Sequence, residues 1–329
     1  MKGVAGETMV LASRMTAAAL AGVTLGCATQ MPSHTAPNWP AGLNAAATPG
    51  APAVAACALI HVVVPEALGN AAEGHSGDWP STYSTFVLRT PRGVVLIDAG
   101  LGTDTPADVA KAPAWFRWSV GNSVVGAKPL GQLLRQVGIA PDEVTDVLLT
   151  HVHWDHTGGL RDLPKAKVWV AGADLSWLRA QTDYLTEGAM PAHLAQLGER
   201  LQPLAMNGPA MLGFAASADV FGDGSVLALP TPGHTRGSTS YLVQSNNGKR
   251  WLFVGDAAWV AENYQVPVPR GWLVRKLVDQ DQAQTADTLG RLHALFTLGK
   301  VPLVTAHDQR SWQDLPLCVD LAGAATPVS

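Results

Sequence analysis

The sequence is poor in charge, in cysteine and in long apolar runs. Only 15% of its 329 residues are charged, and 22 Lys and Arg against 26 Asp and Glu give a net charge of −4. Charge-driven disorder is therefore excluded for most of the chain. The chain has no basic run that would bind a phosphate backbone, so we expect no nucleic-acid partner. No apolar stretch reaches the ~20 residues that a membrane-spanning helix requires.

The N-terminal residues have the pattern of an export signal. A basic start and a short apolar core, residues 15–26, run directly into Cys27, which is typical of a secretory signal. The Leu25-Gly26-Cys27 sequence resembles a bacterial lipoprotein cleavage site, at which the cysteine is acylated. We therefore expect residues 1–27 to be a signal peptide. The mature chain would be exported to the periplasm and anchored by lipid to a bacterial membrane.

Some features near the ends of the chain leave alternatives open. Translation starts at Met1 or at Met9, and ordinary cleavage after a small residue would discard the acylated cysteine. Residues 28–55 are rich in Pro, Ala, Thr and Asn and predict a flexible linker. Cys57 and Cys318 are free to pair in an oxidising periplasm, or they remain two buried thiols that never meet.

Strand and helix patterns alternate from about Cys57 onward, without an internal repeat. Early hairpins, interleaved helices such as residues 281–298, and late hairpins indicate layered sheets with helices outside. We expect one folded domain over residues 56–315 and a C-terminal tail over residues 316–329. The predicted strands are residues 58–64, 84–88, 94–97, 147–150, 167–170, 225–229, 238–243, 251–254 and 303–305.

Three histidines and an aspartate are concentrated at the end of one predicted strand. His151, His153, Asp155 and His156 lie within six positions. Because side chains alternate along an extended backbone, the rings of His151 and His153 would point to the same side. Imidazole and carboxylate groups are ligands for zinc and comparable metals. A lone histidine on an apolar strand is usually a core residue, but this density predicts a metal site.

This segment resembles the HxHxDH signature of the metallo-β-lactamase superfamily. Further matches follow in the order that the family requires, each at the end of a predicted strand: His234, Asp256 and His307. Asp98 matches the family's first acidic motif, which usually supports the metal ligands from behind. The resemblance extends from about residue 57 to residue 312. It implies an α/β fold, the four-layer αββα sandwich.

The resemblance also implies a dinuclear centre, most often with zinc, held by seven side chains. In the family mechanism a hydroxide that bridges the two ions attacks a carbonyl or phosphoryl centre. Asp155 would orient this nucleophile and receive its proton. His153 stands where redox di-iron relatives carry Glu, which favours hydrolysis. The implied ligands are His151, His153 and His234 for one ion, Asp155, His156 and His307 for the other, and Asp256 as the bridge.

The bridging position narrows the choice of substrate. Metallo-β-lactamases proper generally have Cys or Ser there, so Asp256 makes the chain more similar to lactonases and organophosphate hydrolases. Quorum-quenching lactonases usually place a Tyr three residues after the bridge, where this chain has Trp259; Tyr264 is a candidate substitute. We expect hydrolysis of an ester or lactone. The alternatives are organophosphate hydrolase or β-lactamase-like activity, and a non-catalytic metal-binding lipoprotein.

Aromatic side chains in two predicted loops are candidates for the substrate pocket. The chain has 11 Trp against 6 Phe and 4 Tyr, and several of them follow Asp98 or Asp256. Loops over a rigid scaffold commonly set specificity, so an apolar rim would favour a small molecule with an acyl chain or an aromatic leaving group. Alternatively, these aromatics cover the sandwich or form a homodimer interface. The candidates are Trp115, Phe116, Trp118, Trp259, Tyr264 and Trp272.

Overall fold

The computed structural model describes residues 31–36, 52–64, 71–74 and 80–321. The predicted signal peptide, Cys27 and most of the predicted linker lie outside these residues. Among the helices that the structure describes, none combines the length and the apolar character that crossing a bilayer requires.

Two β-sheets lie at the centre of the fold. The first has the order β1-β2-β3-β4-β5-β6 and the second the order β11-β10-β9-β8-β7. The first sheet is antiparallel from β1 to β3 and parallel from β3 to β6, whereas only the β10–β11 pair of the second is parallel. The strands are β1 Ala55–Val64, β2 Ser81–Thr90, β3 Gly93–Ile97, β4 Val144–Leu148, β5 Lys167–Ala171, β6 Leu201–Leu204, β7 Ala218–Asp219, β8 Val226–Pro230, β9 Thr239–Gln244, β10 Arg250–Gly255 and β11 Leu303–Thr305.

The α-helices of the described residues range from one turn to 17 residues. The longest is capped by Asp281, whose side chain accepts a hydrogen bond from the Gln284 amide. The helices are α1 Thr105–Lys111, α2 Ala114–Val120, α3 Leu130–Gln136, α4 Trp154–Thr157, α5 Gly172–Arg179, α6 Ala192–Ala195, α7 Glu262–Gln265, α8 Trp272–Val278, α9 Gln282–Leu298 and α10 Cys318–Leu321.

Three apolar layers separate four layers of secondary structure. Along β3, Val94 and Leu96 pack with α3, while Val95 and Ile97 face the second sheet. The second sheet behaves in the same way, because alternate residues of β8 face the first sheet or α9. A strand covered on both faces is apolar at nearly every position. The predicted αββα sandwich is therefore confirmed.

The structure corrects several predicted boundaries. Strand β4 ends at Leu148, so the residues from Leu149 to His151 follow the strand and do not extend it. The aromatic segment after Asp98, predicted as a loop, contains helix α2, which begins directly after Pro113. Strand β6 was not predicted. Its four residues include Pro203, a residue that is depleted in strands.

The ends of the described chain are attached to the sandwich. Cys57 and Cys318 form a disulfide that spans 261 residues of sequence, a crosslink that typically contributes about 2–5 kcal/mol to the free energy of unfolding. The Ala58 amide donates to the Pro316 carbonyl at 2.9 Å, so residues 316–318 of the predicted tail pair with β1. At the other end, His34 Nε2 lies 2.9 Å from an Asp287 carboxylate oxygen on α9. The short described part of the predicted linker is therefore packed against the fold.

Candidate metal centre

The seven predicted ligands converge at one end of the sandwich, although they are far apart in sequence. Four of them follow β4, and the others come within four residues of the ends of β8, β10 and β11. Six are nearly inaccessible to solvent, and Asp155 is the more exposed one. Their ligand atoms fall into groups within 4.8 Å of one another. The groups are His151, His153 and His234; Asp155, His156 and His307; and His151, His156 and Asp256.

Asp256 joins the two predicted ligand sets through its two carboxylate oxygens. Its Oδ2 lies 3.4 Å from His234 Nε2 and 4.0 Å from His151 Nε2. Its Oδ1 lies 3.2 Å from His156 Nε2 and 3.1 Å from His307 Nε2. One oxygen therefore faces each set, which is the arrangement that a bridging carboxylate requires.

Several buried ligand atoms make no hydrogen bond within the described residues. The Nε2 atoms of His151, His153, His156 and His234 are buried without a hydrogen bond, and so is Asp256 Oδ1. Buried polar atoms are normally paired, because leaving them unpaired costs free energy. Five unpaired ligand atoms around one centre therefore fit divalent metal ions.

The other ring nitrogens are held by hydrogen bonds that orient the imidazoles. His156 Nδ1 donates to Asp98 at 2.7 Å and His307 Nδ1 donates to the Thr82 carbonyl at 2.8 Å. His234 Nδ1 donates to Asp279 at 3.1 Å. A proton on Nδ1 leaves the Nε2 lone pair free to bind a metal.

Asp98 supports the centre in the way that the resemblance implies. It follows β3 in the left-handed backbone region, with a φ of 59°, a conformation that Asp tolerates better than most residues. Its carboxylate accepts from the Thr150 amide at 2.7 Å and from the Thr150 hydroxyl at 2.8 Å, in addition to the His156 ring. The same side chain thus fixes both the backbone before His151 and the ring of His156.

The electrostatics of the centre favour positive charge. Burial holds the pKa of His151 and of His153 well below the usual value, so both rings are neutral and able to bind metal. Burial alone would also lower the pKa of His156, but Asp98 and Asp256 outweigh it and raise that pKa well above the usual value. Burial would raise the pKa of Asp256, yet the neighbouring histidines hold it well below its usual range. Divalent cations would supply the positive charge that these carboxylates stabilise.

A buried arginine lies behind the centre, and nothing in the sequence pattern singled it out. Arg270 is 1% exposed. It donates to Asp279 at 2.8 Å and to the Asp256 carbonyl. Its guanidinium also lies 4.5 Å from the ring centroid of Trp259. The Trp259 indole in turn donates to Asp256 Oδ2 at 2.7 Å, so Trp259 and Arg270 together hold the bridging residue.

A cavity of about 480 Å³ opens over the centre. Five of the predicted ligands line it: His153, Asp155, His234, Asp256 and His307. Four of the predicted pocket aromatics also line it: Trp115, Phe116, Trp118 and Trp259.

Two predicted pocket residues lie elsewhere. Tyr264 is 3% exposed in the core beneath α9, and its hydroxyl donates to the Leu303 carbonyl at 3.3 Å. It therefore does not substitute for the missing lactonase tyrosine. Trp272 begins α8 outside the cavity and stacks with Lys276. Tyr83, which no sequence pattern singled out, does line the cavity.

Comparison with known families agrees with this geometry. The model of the metallo-beta-lactamase superfamily matches residues 77–302. The chain belongs to that superfamily. The predictions of this family, of its fold and of a metal-dependent hydrolase are therefore confirmed.

Similar proteins include lactonases and less specifically named hydrolases. The N-acyl homoserine lactonase AttM of Agrobacterium fabrum is 26% identical over 248 residues, which cover 73% of this chain and 87% of the lactonase. A probable metallo-hydrolase of Mycobacterium bovis is 30% identical over 251 residues, 69% of this chain and 75% of that protein. A crystal structure of a quorum-quenching N-acyl homoserine lactone lactonase has a TM-score of 0.59 at 17% identity, covering 80% of this chain and 97% of that one. That structural likeness shows the shared fold.

The variant Asp98→Asn tests the support of the centre. Asn keeps the size and tolerates the left-handed backbone, but its amide cannot accept from both Thr150 and the His156 ring. We expect zinc affinity to fall roughly 10- to 100-fold, measured by competition with a chromogenic chelator. Asp142→Asn, which changes an exposed carboxylate paired with Lys165, should bind zinc like the parent. Equal affinity in the Asp98→Asn variant and the parent would contradict this role.

Proposed function

We propose that the chain is a dinuclear zinc hydrolase that cleaves a lactone or ester with an apolar part. The observation that carries this proposal is the bridging position of Asp256 between two histidine-rich ligand sets at the base of a cavity. The cavity walls are mainly aromatic and aliphatic, including Trp115, Phe116, Trp118 and Leu277. They suit an acyl chain better than a highly charged substrate.

The residues of the chain would divide the work of hydrolysis. His151, His153 and His234 would hold one ion and Asp155, His156 and His307 the other, with Asp256 between them. Two ions so held would supply a hydroxide nucleophile at neutral pH and would polarise the scissile carbonyl.

Asp155 is partly open to solvent, with 11% of its side chain exposed. It also lines the cavity. We assign to Asp155 the orientation of the nucleophile and the acceptance of its proton.

We propose that Tyr83 provides the hydroxyl that Trp259 lacks. It lies on β2 in the cavity wall, and its ring packs edge-on against His307 with 5.4 Å between centroids. Burial raises the pKa of Tyr83 above the usual value, so the phenol stays protonated and can donate a hydrogen bond at neutral pH. We assign to this hydroxyl the stabilisation of the charge that develops on the substrate carbonyl.

The names of similar proteins support a lactone as the first candidate. Several relatives are N-acyl homoserine lactonases, and one structural neighbour carries the product N-hexanoyl-L-homoserine at its catalytic metal centre. A second candidate is organophosphate hydrolysis. The carboxylate at the bridging position favours this activity. Among the described residues, however, no feature of the cavity favours it over lactone hydrolysis.

A substrate panel on the zinc-loaded chain tests the proposal. We expect kcat/KM for N-acyl homoserine lactones to exceed that for a phosphotriester and a β-lactam. It should rise about tenfold or more between butanoyl and octanoyl chains, because each buried methylene adds binding free energy. Asp256→Ala should lose zinc and all hydrolysis together. A higher kcat/KM for the phosphotriester would favour the second candidate, and two bound ions without turnover on any substrate would favour a non-catalytic protein.

Tyr83→Phe tests the assigned hydroxyl. We expect kcat for the best lactone to fall about tenfold or more, while the zinc content stays unchanged because the hydroxyl holds no ligand. Tyr184→Phe, which removes a hydroxyl bound to Asp108 outside the cavity, should retain the parental kcat. Unchanged turnover in the Tyr83→Phe variant would exclude this role.

We also propose that the chain is exported and carries lipid on Cys27. The disulfide between Cys57 and Cys318 supports an oxidising compartment. When the full chain is produced in a bacterium fed radioactive palmitate, we expect label on the parent and none on Cys27→Ser. Label that persists in the variant, or its absence from the parent, would refute lipidation at this residue.

A further inference from the structure

Two helices beside the mouth of the cavity expose large apolar side chains. On α2, Trp115 is 65% and Trp118 is 77% exposed, and on α8, Leu277 is 72% exposed. All three line the cavity. On the same helix Trp272 is 47% and Leu273 is 39% exposed. We call these five side chains the mouth rim.

The mouth rim is not covered by the rest of the described chain. Helix α8 has no buried residue, and α2 has only Phe116. Scattered apolar residues on a protein surface need no explanation. Three such residues at one opening, with Trp272 and Leu273 also exposed on α8, instead mark an interaction surface.

The charges on these two helices are all basic. Arg117 belongs to α2, Arg275 and Lys276 belong to α8, and neither helix contains Asp or Glu. Arg275 pairs with Glu73 at 3.0 Å, whereas the Lys276 ammonium lies 5.5 Å from the ring centroid of Trp272. Tryptophan and leucine next to basic side chains are typical of helices that lie in the interface of a membrane.

The structure assigns to the mouth rim a docking role on the surface of a bilayer that contains anionic lipids. Trp115, Trp118, Trp272, Leu273 and Leu277 would enter the headgroup boundary. Arg117 and Lys276 would lie against lipid phosphates. The cavity then opens toward the lipid, and an amphiphilic substrate reaches it without crossing bulk water.

A second copy of the chain fits the mouth rim less well than a bilayer does. A two-fold interface brings the same surface of both subunits together. The basic residues of α2 and α8 from both copies would then be brought together within one apolar contact. An anionic lipid surface provides the complementary charge and accepts the apolar side chains as well.

Vesicle sedimentation of the full chain tests the assignment. Every protein carries Cys27→Ser, so none is lipidated and all share the same N-terminal segment. The test variant adds Trp118→Ser and Leu277→Ser. The control adds Val319→Ser, which is 57% exposed next to the disulfide. Val319 follows Cys318, which is bonded to Cys57 near the start of β1. The cavity lies at the other end of this strand, because Ser81, which pairs with Val64, lines it. Val319 therefore lies away from the mouth.

We expect the reference protein to bind vesicles of phosphatidylcholine with phosphatidylglycerol more tightly than pure phosphatidylcholine. The test variant should bind the mixed vesicles about tenfold more weakly, and the Val319→Ser control should match the reference. Binding is measured on the zinc-loaded chain without substrate, so the result does not depend on any hydrolysis.

Three results would overturn the assignment. The first is equal vesicle binding by the reference and the test variant. The second is binding that does not respond to phosphatidylglycerol. The third is a dimer of the reference protein in sedimentation equilibrium that the test variant does not form, together with no vesicle binding by the reference. That result would identify the mouth rim as a contact between copies.

Discussion

The position of the Asp256 carboxylate is the constraint on which the rest of the site depends. Its two oxygens face different sets of imidazoles, and only 5% of the residue is exposed. A buried carboxylate is costly unless cations or hydrogen bonds compensate it. Gly255 makes this position possible, because a Cβ there would lie 2.5 Å from the Thr150 Cβ in a backbone with a φ of 51°. Strand β10 can therefore end directly against the residue that precedes His151.

The two-sheet sandwich turns this local constraint into a centre. The sheets pack on each other through side chains such as Phe86 and Phe253, which fixes the ends of β4, β8, β10 and β11 relative to one another. Asp98 and Asp279 then orient His156 and His234 from behind. Rigid strand ends and buried hydrogen bonds thus hold the ligand side chains in place.

Much of this arrangement was predictable from the sequence, and the exceptions have physical reasons. The ligands were recognisable because His151, His153, Asp155 and His156 are close in sequence and the other matches follow predicted strands. Arg270 and Asp279 were not found, because a buried ion pair joins residues that have no common pattern. Trp115 and Trp118 were expected in a loop, because a two-turn helix that buries one side chain shows no clear hydrophobic periodicity. The role proposed for Tyr83 depends on strand register, which brings β2 beside His307.

Anomalous X-ray diffraction from a crystal of the zinc-loaded chain, recorded on both sides of the zinc absorption edge, tests the central claim most directly. The account predicts two zinc peaks roughly 3.5–4 Å apart, with one Asp256 oxygen bound to each. A single peak, or two peaks with Asp256 bound to only one of them, would contradict it.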